Sequence, residues 1–239
     1  MAADMNTLKN SFIYSVKRTI PILIGFFPVG IAYGVLMNEA GYNAAWTGLT
    51  SLTVFAGSLQ MLMISFFTSD VSVLTVAVAA ALLNSRHIFY GISFIDKFNA
   101  FKPWKGFLIF ALPDETYTLH CAYKPEKDTD EKYVYVFTAL LVYFYWFVCS
   151  IAGSLVGSLI TFDTTGIDFA MTALFIVILL DRIKDADTLL PAYISIPVSV
   201  VLLAVLGPDS FLLPSLIVTV LALILVRQRI ESGSKEGME

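Results

Sequence analysis

Asn84, Arg86, His87 and Tyr90 are the residues of this chain best equipped for chemistry, and they stand in the run ALLNSRHIFYG (81–91), where hydrocarbon would be expected. A guanidinium presents a planar fork of donors that matches a carboxylate, and an imidazole can carry a proton near neutral pH. On a helix Asn84, His87 and Gly91 (i, i+3, i+7) share one face, and Arg86 and Tyr90 (i, i+4) share the next. The uncharged run that precedes them is too short to have crossed a bilayer before Arg86 is reached. A basic group at mid-membrane costs about 2.5–3.5 kcal/mol on insertion scales, so it must face protein, water or an acid. The competing reading is an interface end, with Arg86 snorkelling to the headgroups.

Two further groups offer partners. In Pro113-Asp114-Glu115 the proline removes a backbone donor and frees carbonyls. The adjacent carboxylates could bind a cation or an ammonium group, relay protons, or neutralise Arg86; a solvated loop at the membrane edge is the alternative. In Gly57-Ser58-Leu59-Gln60 the small residues permit close packing or local unwinding, and Gln60 offers a donor and an acceptor. Unwound backbone is one way transporters hold zwitterions, whereas a plain interhelical hydrogen bond by Gln60 is the simpler role. Pro28 predicts a comparable break in the first span. The run Tyr143-Phe144-Tyr145-Trp146-Phe147 either lines a pocket or packs against lipid and neighbours. His120 does not share the helix face of Glu115 and reads as structural.

These residues must be positioned by membrane helices. Hydrophobic residues make up 57% of the 239-residue chain and charged residues 14%, against about 25% charged in soluble domains. Apolar windows of spanning length recur at 20–37, 46–68, 71–95, 133–160, 169–181, 189–206 and 211–226, with 107–121 doubtful because of its proline, acids and histidine. The fold class is therefore all-α, a polytopic helical membrane protein of about eight spans, or seven and fewer if 107–121 is re-entrant. No alternating ten-residue segments suggest a barrel, and no basic patch suggests nucleic acid. The two cysteines, Cys121 and Cys149, form no metal or disulfide pattern. The domain reading is a cytoplasmic segment 1–19, a transmembrane domain 20–227 with candidate halves 20–122 and 133–227, and a polar cytoplasmic tail 228–239. No cleaved leader is expected.

Lysine and arginine set the orientation. Lys9, Lys17 and Arg18 place the N-terminus in the cytoplasm, as do Lys124, Lys127 and Lys132, then Arg182 with Lys184, and Arg227 with Arg229. The connections 38–45, 161–168 and 207–210 lack them and suit the outside. With eight spans, Lys97, Lys102 and Lys105 fall on the wrong side. Gly30 and Gly34 form one GxxxG pattern, Gly153 and Gly157 another, each followed by a further glycine and an apolar span. These are packing motifs or the trace of a parallel internal repeat.

The segments PILIGFFPVGIAYG (21–34), FAGSLQ (55–60), LNSRHIFYG (83–91) and LPDE (112–115) resemble, in order and spacing, the AzlC-type permeases of the LIV-E family. The resemblance covers roughly residues 20 to 181. Where that family reads Leu-Thr-Asp-Glu, this chain has Leu112-Pro113-Asp114-Glu115, so the acids are kept and the hydroxyl is not. The resemblance implies a secondary carrier in the bacterial inner membrane that moves valine, leucine, isoleucine or similar residues such as methionine outward. It also implies a small separate AzlD-type membrane subunit as partner, and it implies no enzyme activity. The chain carries no P-loop, so protons are the expected driving ion, and no cofactor or metal is expected. In this reading Arg86 or Asn84 holds the substrate carboxylate, and Asp114 or Glu115 meets the ammonium group or couples to protons. His87, Tyr90, Gln60, Gly57 and Ser58 complete the polar end. Two other functions compete: a non-transporting assembly or sensor subunit, and an intramembrane enzyme using His87 and Asp114. Against the enzyme, neither HExxH nor G-x-S-x-G is present.

Overall fold

The computed structural model describes residues 4–69, 71–124, 126–159, 176, 180, 183, 189–207 and 211–236, and every regular element among them is helical. Apart from residues 176, 180 and 183, the expected span 169–181, the connection 161–168 and the charged loop around Arg182 and Lys184 lie outside the described residues. In chain order the helices are α1 (Met5–Glu39), α2 (Ala44–Thr53), α3 (Gly57–Thr68), α4 (Val73–Ser93), α5 (Ile95–Ala100), α6 (Lys105–Phe110), α7 (Asp114–Cys121), α8 (Glu131–Leu159), α9 (Leu190–Leu206) and α10 (Leu212–Glu236). Three of them, α1, α4 and α8, are long and apolar enough to cross a membrane, and α3, α9 and the 214–226 part of α10 are shorter apolar helices.

The chain divides into two compact units. One contains 1–70 and 83–164, the other 71–82 and 165–239. In the second, α9 and α10 pack on each other. The first holds all the candidate residues, and its spine is the parallel pair α1–α8. Ser15 Oγ donates to the Val134 carbonyl at 3.2 Å near one end, and Gly157 meets Val35 near the other. The two GxxxG motifs are what brings these helices together. A Cβ at Gly30 would lie 2.6 Å from Cys149 Cβ, one at Gly34 would strike the main chain of Ser150, Gly153 and Ser154, and one at Gly153 would strike that of Ile31. Tyr33 and Met37 of α1 are fully buried in the seam, with Val142 and Trp146 of α8.

Pro28 does not break α1, contrary to expectation: the helix runs from Met5 to Glu39 through both Pro21 and Pro28. A proline costs a helix one hydrogen bond and some strain, and the continuous packing of α1 along α8 holds both flanks in register. The break comes instead at Gly41, whose φ of 88° turns the chain out of α1. Asn43 then caps α2, its side chain accepting from the N–H groups of Ala45 and Trp46.

The segment 46–68 is expected as a single span and 107–121 as a doubtful or re-entrant one, and each is a helical hairpin. The first reverses at 54–56, where Ala56 is extended and Phe55 takes φ 40°, a strained left-handed conformation for an aromatic residue. Its far end returns to its start, for the Phe67 ring lies 4.7 Å from that of Tyr42. The second reverses at 111–113, with Pro113 extended at ψ 178°. Its start and finish both reach Tyr135, by Phe101 at 5.7 Å and His120 at 4.2 Å. The hairpins therefore enter from opposite ends of α8 and meet tip to tip. Phe55 lies 6.3 Å from Phe110, and both pack on Tyr143 at mid-helix.

Lys97 lies beside the start of α8, its ammonium 2.7 Å from Glu131. Ser11 and Tyr14 of α1 bond the same region, accepting from the Asp130 N–H and donating to the Lys124 carbonyl respectively. The segments of Lys97 and Lys124 thus lie at the end of the unit where α8 begins.

Candidate functional site

Helix α4 brings Arg86 against the ends of the two hairpins. Its Nη1 donates to Asp114 Oδ2 at 2.6 Å, and its Nη2 donates to Ser58 Oγ at 2.9 Å. Asp114 opens α7 directly after Pro113, and Ser58 lies in the first turn of α3 directly after the Phe55 reversal. Each break thus exposes a helix start, where unsatisfied N–H groups favour negative charge. The Asp114 side chain is 14% exposed and that of Arg86 34%, so the pair is shielded without being sealed. His87 Nε2 approaches Asp114 Oδ1 at 3.9 Å, outside hydrogen-bonding distance. Asn84 Oδ1, Arg86 Nε and His87 Nε2 are buried and have no hydrogen-bond partner among the described residues. The guanidinium fork therefore has one arm on a carboxylate, the other on a hydroxyl, and polar capacity left over.

Tyr90 continues this face of α4 and stacks on Tyr117 of α7 at 4.2 Å, with the His87 ring 5.8 Å away. Gln60 is fully buried and its amide is used on two sides: it donates to Ser51 Oγ at 3.3 Å and accepts from Trp146 Nε1 at 2.9 Å. It fastens α2, α3 and α8 beside the reversal. Gly57 lies under the Trp146 ring, where a Cβ would sit 3.4 Å away. Glu115 follows Asp114 in the first turn of α7. Arg86, Asp114 and Ser58 come together directly, with His87 and Tyr90 beside them, while Gln60 and Gly57 belong to the hairpin support. Sequence reasoning did not reach Tyr117 as the stacking partner of Tyr90. The signal available was its spacing from Asp114 (i, i+3), which places both on neighbouring positions of one helix surface.

The model for the family described as AzlC protein matches residues 21–160, which include every residue of this site. The chain belongs to the AzlC family. Among curated relatives it is 32% identical over 237 residues to the branched-chain amino acid transport protein AzlC of Bacillus subtilis, covering 97% of this chain and 93% of the relative. It is 35% identical over 227 residues to an uncharacterized membrane protein of Helicobacter pylori, covering 95% of this chain and 100% of that one. A membrane protein of Archaeoglobus fulgidus is 28% identical over 185 residues, covering 75% and 80%. No solved structure matches the chain. Within this AzlC-family chain, the Asn-x-Arg-His motif and the Pro-Asp-Glu motif are the two sides of one ion pair.

Proposed function

We propose that this chain is the large subunit of a secondary transporter that exports valine, leucine, isoleucine and also methionine across the bacterial cytoplasmic membrane. It works with a small AzlD-type subunit and is coupled to protons. The observation that carries this reading is the Arg86–Asp114 pair, set between two broken helices at mid-unit. A cation and a carboxylate held side by side form a template for the carboxylate and ammonium of an α-amino acid. The substrate carboxylate goes to Arg86, assisted by Asn84 and Ser58, and the ammonium to Asp114, assisted by Glu115. A proton on Asp114 leaves the ammonium without a partner, so proton and substrate exclude each other. That exclusion is what an antiporter needs, and His87 is near enough to Asp114 to hand the proton on through a small movement. Gly57, Gln60 and Pro113 hold the reversals, and Gly30, Gly34, Gly153 and Gly157 hold the frame.

The test is growth on toxic dipeptides that load the cell with each amino acid, in a strain deleted for its own exporters. Expression of this chain with its partner should restore growth and lower intracellular leucine several-fold. Equal leucine with and without expression would rule out export.

The shared end of Lys9, Lys17, Lys97, Lys102, Lys105, Lys124 and Lys132 supports a cytoplasmic assignment for that end under the positive-inside rule. At 35 residues, α1 is about 52 Å long and projects beyond a hydrocarbon core of about 30 Å. In a chain with its native cysteines replaced, Lys102→Cys should react with a membrane-impermeant maleimide only after the cells are opened. Asn43→Cys should react in intact cells. Labelling of Lys102→Cys from outside would overturn the hairpin topology.

A further inference from the structure

The cytoplasmic-end pair Lys97–Glu131 borders a cavity of about 610 Å³, within the range of small-molecule sites. Its walls include the rings of Phe94, Tyr123 and Tyr135, and His120. His120 is 3% exposed, and neither ring nitrogen has a hydrogen-bond partner among the described residues. A buried neutral imidazole normally satisfies at least one nitrogen, so the unbonded His120 ring leaves polar capacity in the wall of this cavity. Lys97 Nζ also takes Tyr135 Oη as an acceptor at 3.2 Å and lies 5.1 Å from that ring's centroid. Burial alone would lower the Lys97 pKa, but its bonds to Glu131 and Tyr135 raise it, so the ammonium is firmly charged.

From these residues we infer that the cavity is a second amino-acid site, taking an α-amino acid zwitterion with an apolar side chain. Glu131 receives its ammonium, Lys97 its carboxylate, and the Phe94 and Tyr123 rings its side chain. The inference rests on the transport reading of the central pair. The Lys97–Glu131 pair is about two-fifths exposed on each side, and exposed ion pairs are weak enough to exchange partners with a zwitterion. The two sites lie along the same helices. His120 follows Asp114 on α7 by about 9 Å of helix rise, and α4 carries Arg86 and Tyr90 in that order toward Phe94, the residue that opens α5, and Lys97 on α5. Tyr117 bridges them, stacked on Tyr90 at 4.2 Å and edge-on to Phe94 at 5.6 Å. The inner site would load substrate from the cytosol and pass it to the central pair.

The experiment is equilibrium binding of radiolabelled leucine to the full chain in lipid nanodiscs, read as moles bound per mole of chain. The wild type should bind two. Lys97→Gln and Glu131→Gln should each bind one, Lys97→Arg should restore two, and Arg86→Gln should bind one through the inner site. Leucinamide and 4-methylpentanoate, each with one of the two charges, should compete at the inner site about tenfold more weakly than leucine. Tyr123→Ala should weaken that site while leaving the ion pair untouched, so a failure of the Lys97 variants to fold does not remove the test. One mole bound by wild type, lost with Arg86→Gln and unchanged by Glu131→Gln and Tyr123→Ala, overturns the inner site and leaves the central one standing. Binding lost with Glu131→Gln yet unaffected by Arg86→Gln would do the reverse.

Discussion

Arg86→Gln is expected to reduce leucine efflux to the level of cells lacking the transporter, while the chain still inserts in the membrane. Removal of the guanidinium cannot hinder insertion, since a basic group in a membrane helix is itself unfavourable by about 2.5–3.5 kcal/mol. What it leaves behind is Asp114, only 14% exposed and stripped of its 2.6 Å partner. Breaking one side of a fully buried pair typically destabilises by about 3–5 kcal/mol; this partly exposed pair costs less, and some loss of abundance is expected from the single variant. The double variant Arg86→Gln with Asp114→Asn leaves no unmatched charge and keeps similar shapes, so its abundance should recover. Its transport should not. Arg86→Lys is the finer probe: an ammonium keeps the charge but cannot reproduce the fork that reaches Asp114 and Ser58 together, and partial activity should result. Efflux and membrane abundance of the three variants and the wild type, measured side by side, decide the matter. Normal export by the double variant would make the pair a structural fastening and nothing more.

The second large effect concerns the α1–α8 seam. Gly34→Ala should destabilise the chain by more than the roughly 1–3 kcal/mol typical of overpacking, and Gly34→Leu should prevent a stable fold. Ordinary overpacking is relieved when side chains rotate away. Here a Cβ would meet the Ser150 carbonyl, the Ser154 nitrogen and the Gly153 carbonyl carbon, all main chain, so the helices themselves must separate. Gly25→Ala on the same helix is the control, because nothing lies within 4 Å of its Cβ position. That change should be neutral or stabilise by a few tenths to about 1 kcal/mol, since alanine loses less backbone freedom in a helix than glycine. Thermal unfolding in detergent, followed by loss of monodisperse protein, should place Gly34→Ala well below wild type and Gly25→Ala at or above it. Equal midpoints for Gly34→Ala and wild type would mean that the seam is not as close as described.

Several features were legible in the residues alone. Composition and run length gave the helical membrane class, and α1, α4 and α8 lie where the apolar windows lie, because burial of the backbone in hydrocarbon leaves helices as the regular option for such runs. The demand that Arg86 meet an acid followed from the cost of a lone charge, and Asp114 or Glu115 was a short list of partners. Pro113 marked one reversal, because the amide it lacks cannot sustain the hydrogen-bond ladder. Pro28 carried the same mark and misled: a proline removes one bond, and whether the helix ends there depends on what packs beside it.

The tertiary structure alone decided the rest. An apolar run of spanning length reads the same whether it crosses once or turns back, since hydropathy records the solvent and not the direction of the chain. The reversal at Phe55 has no glycine at the left-handed position to announce it; that backbone is held by the Tyr143 and Phe110 rings packed around it, contacts that come from distant parts of the sequence. The pairing of Lys97 with Glu131 and the meeting of Ser58 with Asp114 on one guanidinium depend in the same way on where the hairpins turn. Local residue types determined which groups needed partners, and only the folding back of two helices determined which partners they received.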